Sequence, residues 1–265
     1  MAGAQIASQT NAGSLAMRAV QSSAASQEDF CKHGMRSLSP DSPVSHVLEG
    51  LCHFREQPLT SPSQFVRPTS LLFQQAGRER RWDAVQAHES VAAMLYNSQL
   101  DAFIVVRQFR PAIYAVRWRA AKAAGLPEPP PAAGLSYELC AGILDKPGKS
   151  AEQVCCEEIL EEVGYRVSPQ QLACCAGSVI SSAGVTGAPQ AVFFAQVDES
   201  MRACAGGGTM AASERVEALS LPVAAVDAFI ADASLAKTPG LCFGLLWGRQ
   251  WLQQQQQQQQ SSQRT

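Results

Sequence analysis

Basic residues are in short supply. The 265-residue chain has 21 Lys and Arg against 23 Asp and Glu, a net charge of -2. A protein whose main partner is nucleic acid carries a broad basic surface, so that class is excluded. Long apolar runs are also missing. Nothing reaches the roughly 18 residues that would cross a bilayer, so no membrane partner is expected. C-x-x-C spacing is absent. The 9 cysteines include the adjacent pairs Cys155/Cys156 and Cys174/Cys175, and the 4 histidines are scattered, which argues against zinc. Reduced, mostly buried thiols in a cytosol-like compartment follow as the expectation. There is no internal repeat and no P-loop spacing.

Acids are missing from the beginning. None precedes Glu28, and Arg18 is the single basic residue of that stretch. An Ala-, Ser- and Gln-rich start of this kind suits a disordered extension of a cytoplasmic protein. It equally suits a transit segment directing the chain to a plastid or mitochondrion. The expected organisation is an extension over 1–49, one domain over 50–250, and a disordered Gln-rich tail over 251–265. Regular structure is expected to begin near Phe65.

What is present is enough for a sizeable core, with 46% hydrophobic residues. Ser70–Phe73, Ser90–Tyr96, Ala102–Gln108, Tyr137–Ile143, Val192–Val197 and Glu217–Leu221 read as strands. Asn97-Ser98 marks a hairpin turn between two of them. Ala121–Gly134, with Pro129-Pro130-Pro131, reads as a surface insertion. Leu235–Gly248 suits a final helix broken near Pro239-Gly240.

The clearest helix runs from Ala151 to Val163. Ser150 is a good N-cap, Gln153 completes a capping box, and Gly164 is a C-terminal stop. At about 100° per residue, Glu158, Glu161 and Glu162 fall within an arc of about 100°. Cys155, Ile159 and Val163 form a neighbouring stripe that can face the core. Glu157/Glu161 and Glu158/Glu162 are like-charge pairs, each destabilising by roughly 0.2–0.5 kcal/mol. The helix contains no Lys or Arg, and its acids crowd the end where the dipole disfavours them. A hard cation such as Mg²⁺ would remove these penalties, because it is shared between a few carboxylates and substrate phosphates. A solvated acidic face is the alternative.

Gly142 to Tyr165 resembles a Nudix box, most closely from Glu158 through Gly164. Glu138-Leu139-Cys140-Ala141-Gly142 resembles the strand that enters the box. Three departures stand out. The spacing after Gly142 is one residue longer than the pattern, Lys149 stands where the first Glu is expected, and Glu157 replaces an Arg that helps orient a neighbouring Glu. The first two departures resemble the uridine diphosphate glucose pyrophosphatase subgroup. So do Trp82-Asp83, His88-Glu89-Ser90-Val91, the run Val106–Tyr114, Gly184-Val185-Thr186-Gly187, and Lys237-Thr238.

The resemblance implies an α/β fold of the α+β type, a mixed β-sheet sandwiched between helices with an N-terminal β-rich part. It implies a homodimer and Mg²⁺ or Mn²⁺. Glu158 and Glu162 become metal ligands, and Glu161 a ligand or a helper of bound water. The Ala141 carbonyl becomes an extra ligand. Glu214 is the candidate general base, on a loop whose Gly-rich part is Ala205–Thr209, and Glu217 is the weaker candidate. Arg110 is expected to contact the diphosphate and Glu138 the base or ribose. The implied reaction is hydrolysis of a nucleoside diphosphate sugar, UDP-glucose to UMP and glucose 1-phosphate. Alternatives are ADP-ribose or an ADP-sugar as substrate, or binding of nucleotide sugars without turnover.

Overall fold

The computed structural model describes residues 32–39, 45–63, 65–208 and 215–262. In chain order these form β1 (Arg36–Ser37), α1 (Ser45–Leu48), β2 (Val66–Gln75), β3 (Arg78–Ala87), β4 (Ser90–Asn97) and β5 (Ala102–Phe109). Then come α2 (Pro111–Ala123), β6 (Leu135–Glu138), β7 (Cys140–Ile143), α3 (Ala151–Glu158), β8 (Ala173–Ile180) and β9 (Pro189–Val197). β10 (Val216–Pro222), α4 (Val226–Ala231) and α5 (Pro239–Ser262) complete the order, with short 3-10 turns between elements.

One mixed sheet organises the chain, in the order β1-β10-β5-β4-β9-β8, with β6 also on β5 and β7 also on β4. The β4–β5 hairpin forms around Asn97 as expected, with Leu95 opposite Ile104. Asn97 stabilises that turn directly, its Oδ1 accepting the N–H groups of Gln99 and Leu100. β4 pairs with β9 in parallel and with β7 antiparallel.

Period-two alternation sends the two faces of the sheet into separate cores. On one face Val91, Ala93, Leu95, Ile104 and Val106 meet Val154, Cys155, Ile159 and Val163 of α3 and its extension. On the other, Ala92, Met94, Phe103 and Val105 meet Phe229 of α4 and Leu241 and Leu245 of α5. The architecture is the expected α+β sandwich. The ribbon β2–β3 stands apart as its own two-stranded sheet and is exposed along most of its length.

Four expectations need correction. Packed structure begins well before Phe65 and before the 49/50 boundary: Met35 is buried and β1 pairs with β10. A two-residue strand beside Ser and Pro has no period to reveal it. Residues before Lys32, including the acid-poor start, lie outside the described residues. Ala121–Gly134 is not merely a surface insertion, because Ala121 is buried in the last turn of α2 and Ala133 is fully buried. The glutamine run Gln253–Gln260 is helix rather than disordered tail, continuing α5. Glutamine is a good helix former, and the preceding turn is anchored by Trp251 on Phe194, ring centroids 4.6 Å apart. Finally, of the described cysteines only Cys140 and Cys155 are buried, while Cys52, Cys174 and Cys204 are exposed.

Candidate active site

The site is built where α3 crosses β4 and β7. Ser150 caps the helix with both bonds of the capping box, its Oγ accepting the Gln153 N–H while Gln153 Oε1 accepts the Ser150 N–H. Beyond Glu158 the helix widens into a π-turn over Ile159–Val163 and stops at Gly164, whose φ is 79°. Such turns widen a helix by one residue and are frequent at functional sites. The widening was not foreseen from uniform 100° steps. It leaves Ile159, Glu162 and Val163 all buried, with Glu161 half-buried.

Glu162 is 2% exposed, and its Oε2 accepts the Ala141 N–H at 3.0 Å. Glu158 lies against Gly142. A Cβ at that glycine would sit 2.2 Å from Glu158 Cδ, so only glycine lets the carboxylate rest on the strand. Burial, and then the Glu162 carboxylate, push the Cys140 thiol well above its ordinary value. The helix thus sets Glu162 on Ala141 and Glu158 on Gly142, with Glu161 on the same stretch of helix.

The like-charge row is offset from outside the helix. Lys149 Nζ lies 2.5 Å from Glu157 Oε1 and Lys146 Nζ lies 3.0 Å from Glu157 Oε2. Lys146 also lies 3.8 Å from Glu158. Lys149 and then Lys146 hold the Glu157 carboxyl below its usual value. Burial works against the Lys146 ammonium, yet Glu157, Glu158 and Glu161 hold it above its usual value. At the helix end, the N–H groups of Gly207 and Gly208 donate to the carbonyls of Glu162 and Glu161. The Gly-rich segment therefore caps the acidic end instead of serving only as a flexible part of a loop. Neither lysine had been singled out for a role at the site; the adjacency of Lys149 to the box was the available signal.

Glu138 and Arg110 meet in a two-pronged ion pair. Arg110 Nε and Nη2 donate to the two Glu138 oxygens at 2.8 and 2.7 Å. Arg110 is the N-cap of α2, its φ and ψ extended before Pro111, and remains 44% exposed, so its guanidinium can also face a ligand. Gln108 Nε2 lies 3.4 Å from Glu138 Oε2. Glu217 is not at this site. It pairs with Arg107 across β5–β10 at 3.0 Å, on the strand positions that alternate with Val216 and Ala218. Those two residues face the α3 core, so Glu217 points to the opposite face. Burial pushes its carboxyl up against the pull of Arg107. Glu214 lies outside the described residues, as does Thr209.

The carboxylates suit a hard, oxygen-seeking cation by chemistry and by position. The Gly142 cradle is an observation of the same kind, since a side chain there would fill the space in which Glu158 rests. Among the described residues no three His, Cys, Asp or Glu side chains converge on one point as they stand. Glu162 is turned to the Ala141 N–H and Glu158 toward Lys146.

A mixed sheet between helices, with a glutamate-rich helix packed on a Gly-containing strand, is the arrangement that the resemblance to the Nudix hydrolases implies. Comparison with known proteins makes this specific. The chain is 37% identical over 197 residues to uridine diphosphate glucose pyrophosphatase NUDT14 of Bos taurus, covering 70% of this chain and 88% of the relative. It is 34% identical over 216 residues to the Mus musculus protein of that name, covering 77% and 93%. GDP-mannose pyrophosphatase of Cronobacter sakazakii is 33% identical over 132 residues, 49% of this chain and 58% of that protein. A solved ADP compounds hydrolase shares the fold with TM-score 0.53 at 17% identity, covering 74% of this chain and 91% of that one. No family model matches. The chain belongs to the Nudix hydrolase family. Within it, these curated relatives are nucleoside diphosphate sugar pyrophosphatases.

Proposed function

We propose that this protein is a Mg²⁺- or Mn²⁺-dependent hydrolase of nucleoside diphosphate sugars, cleaving UDP-glucose to UMP and glucose 1-phosphate. The observation that carries this is the packing of the glutamate row on the Ala141-Gly142 strand end. Glu158 and Glu162 would hold the metal, with Glu161 and the Ala141 carbonyl beside them. A bound divalent ion would neutralise the diphosphate and lower the pKa of a water.

The remaining work falls to the chain. Glu161, half-buried, would orient a water or accept its proton. Arg110, whose Nε/Nη2 fork is held by Glu138, would meet a phosphate oxygen with the exposed part of its guanidinium. Glu138 keeps that fork at the strand end and offers a carboxylate to ribose or base. Glu214 remains the candidate loop base.

Incubation with Mg²⁺ and a panel of UDP-, ADP- and GDP-sugars, with nucleoside monophosphate as readout, tests the proposal. UMP formed fastest from UDP-glucose is the expected result. Binding without any product would reduce the protein to a nucleotide-sugar binder. Full turnover in Glu162→Gln would remove the metal assignment.

Homodimerisation is part of the same proposal. Leu71, Phe73 and Trp82 share one face of the β2–β3 ribbon and are exposed, with Leu71 directly opposite Trp82. The ribbon is tied to the segment after β8, where Trp82 Nε1 donates to the Gly184 carbonyl and the Val85 N–H to that of Val185, yet it stays largely exposed. A two-stranded ribbon is marginally stable in water, so a second copy covering this face suits it. Light scattering should give twice the chain mass, and Leu71→Glu with Phe73→Glu should shift it toward one.

A further inference from the structure

Two of the three departures in the box, Lys149 and Glu157, make one structure. Each Glu157 oxygen is taken by a different lysine, Oε1 by Lys149 and Oε2 by Lys146. Glu157 is thereby occupied as an anchor rather than as a ligand. Its consequence lies with Lys146. The ammonium is held on one side at 3.0 Å from Glu157, and on the other stands 3.8 Å from Glu158. The side chain is 35% exposed, so the head can be reached from solvent. Lys146 sits in the segment between β7 and α3, next to Pro147 and Gly148, and so meets the rim of the carboxylate row from the strand side.

A fixed cation at that rim has two physical effects. It screens Glu158 from its like-charged neighbours when no ion is present. It also offers a donor to whatever anion arrives with the ion, because an ammonium beside carboxylates that take up a divalent cation is released toward the added negative charge. A diphosphate is that anion under the function proposed above, on which this inference rests. We propose that Lys146, held at the carboxylate rim by Glu157, contacts the substrate's diphosphate, with Lys149 fixing Glu157 from the other side. Lys146 is then a substrate-binding residue, and Glu157 and Lys149 are positioning residues.

The experiment compares wild type, Lys146→Met, Lys146→Arg and Glu157→Gln in the full-length protein. It reads Mn²⁺ binding without substrate, and kcat and KM for UDP-glucose. In Lys146→Met, Mn²⁺ should bind at least as tightly as in wild type, since a like charge has been removed. Its KM should rise about tenfold, the scale of one charge-assisted hydrogen bond, with kcat nearly unchanged. Lys146→Arg should restore most of the KM, and Glu157→Gln should raise KM in the same direction by less.

An unchanged KM in Lys146→Met overturns the proposal. So does loss of Mn²⁺ binding in proportion to loss of activity, which would make Lys146 a structural residue only. If wild type turns over no nucleotide sugar, the function fails separately. Calorimetric titration with UDP-glucose and Mn²⁺ then reads Lys146 by itself: weaker binding in Lys146→Met upholds the contact, and equal binding overturns it.

Discussion

Glu158 rests on a residue with no side chain, and that contact puts Gly142 among the site's most sensitive positions. Gly142→Ala would push a methyl into the Glu158 carboxyl. Overpacking of this kind costs about 1–3 kcal/mol unless the side chain moves. Here the side chain that can move is the proposed ligand. The expected outcome is a nearly normal melting temperature with Mn²⁺ affinity and kcat both sharply reduced, measured by titration and UMP release. The cysteines separate by the same residue-level logic. Burial raises the thiols of Cys140 and Cys155, so the native protein should lose Cys52, Cys174 and Cys204 to a maleimide first, as peptide mapping would show. At this scale the sequence exposed the acids well, because their types and spacing are the chemistry. It did not expose the Arg110–Glu138 pairing, in which residues 28 apart meet through the β5–β6 register. Nor did it place Glu217 correctly, since a strand's inward face depends on what packs against it.

An element records more than its own residues. The start and stop of α3 were legible because Ser150, Gln153 and Gly164 act within one turn of themselves. Its π-turn was not, because no residue type demands one. The supposed excess of negative charge was also only half visible: the lysines that offset it lie before the cap, and the amides that meet its last carbonyls come from Gly207 and Gly208. Charge reversal offers a test. Glu157→Arg would set a third cation beside Lys146 and Lys149 and should lower the melting temperature slightly, as expected for exposed pairs. Adding Lys149→Glu should recover most of that loss. Thermal melts of the two variants at low and high salt would check it, and equal melting temperatures for both would show that the pair carries no stability.

Across the whole molecule, distant segments meet at Asp232, just after α4. Lys32 lies 2.7 Å from its Oδ2 and His33 3.0 Å, so the segment before β1 is tied to the far end of the chain. Burial works against the Asp232 charge, yet Lys32, Ser234 and His33 hold its carboxyl far below the ordinary value of 3.8. A depressed carboxylate contributes stability that is full above its unfolded pKa and is lost as the pH falls toward its folded one. Asp232→Asn should therefore cost about 1–3 kcal/mol at neutral pH, the cost of disrupting charged hydrogen bonds. The gap to wild type should begin to narrow as the pH falls through about 4 and keep narrowing below it, as melts across pH would show. The sheet and the hairpin around Asn97 were legible from apolar patterning. The final helix, expected over Leu235–Gly248 with a break near Pro239-Gly240, instead starts at Pro239 and runs unbroken to Ser262, because proline suits a helix's first turn. The early tether was not legible, because its partners are two hundred residues apart.

The same scale holds the helix α5, which docks through Leu241, Leu245 and Trp251 and then runs on as exposed glutamines. Each glutamine gained or lost there changes the rod by about 1.5 Å and turns its tip by about 100°. No buried contact registers the change. Repeat-length drift in this stretch can therefore accumulate without catalytic consequence, altering only how far the surface extends from the domain.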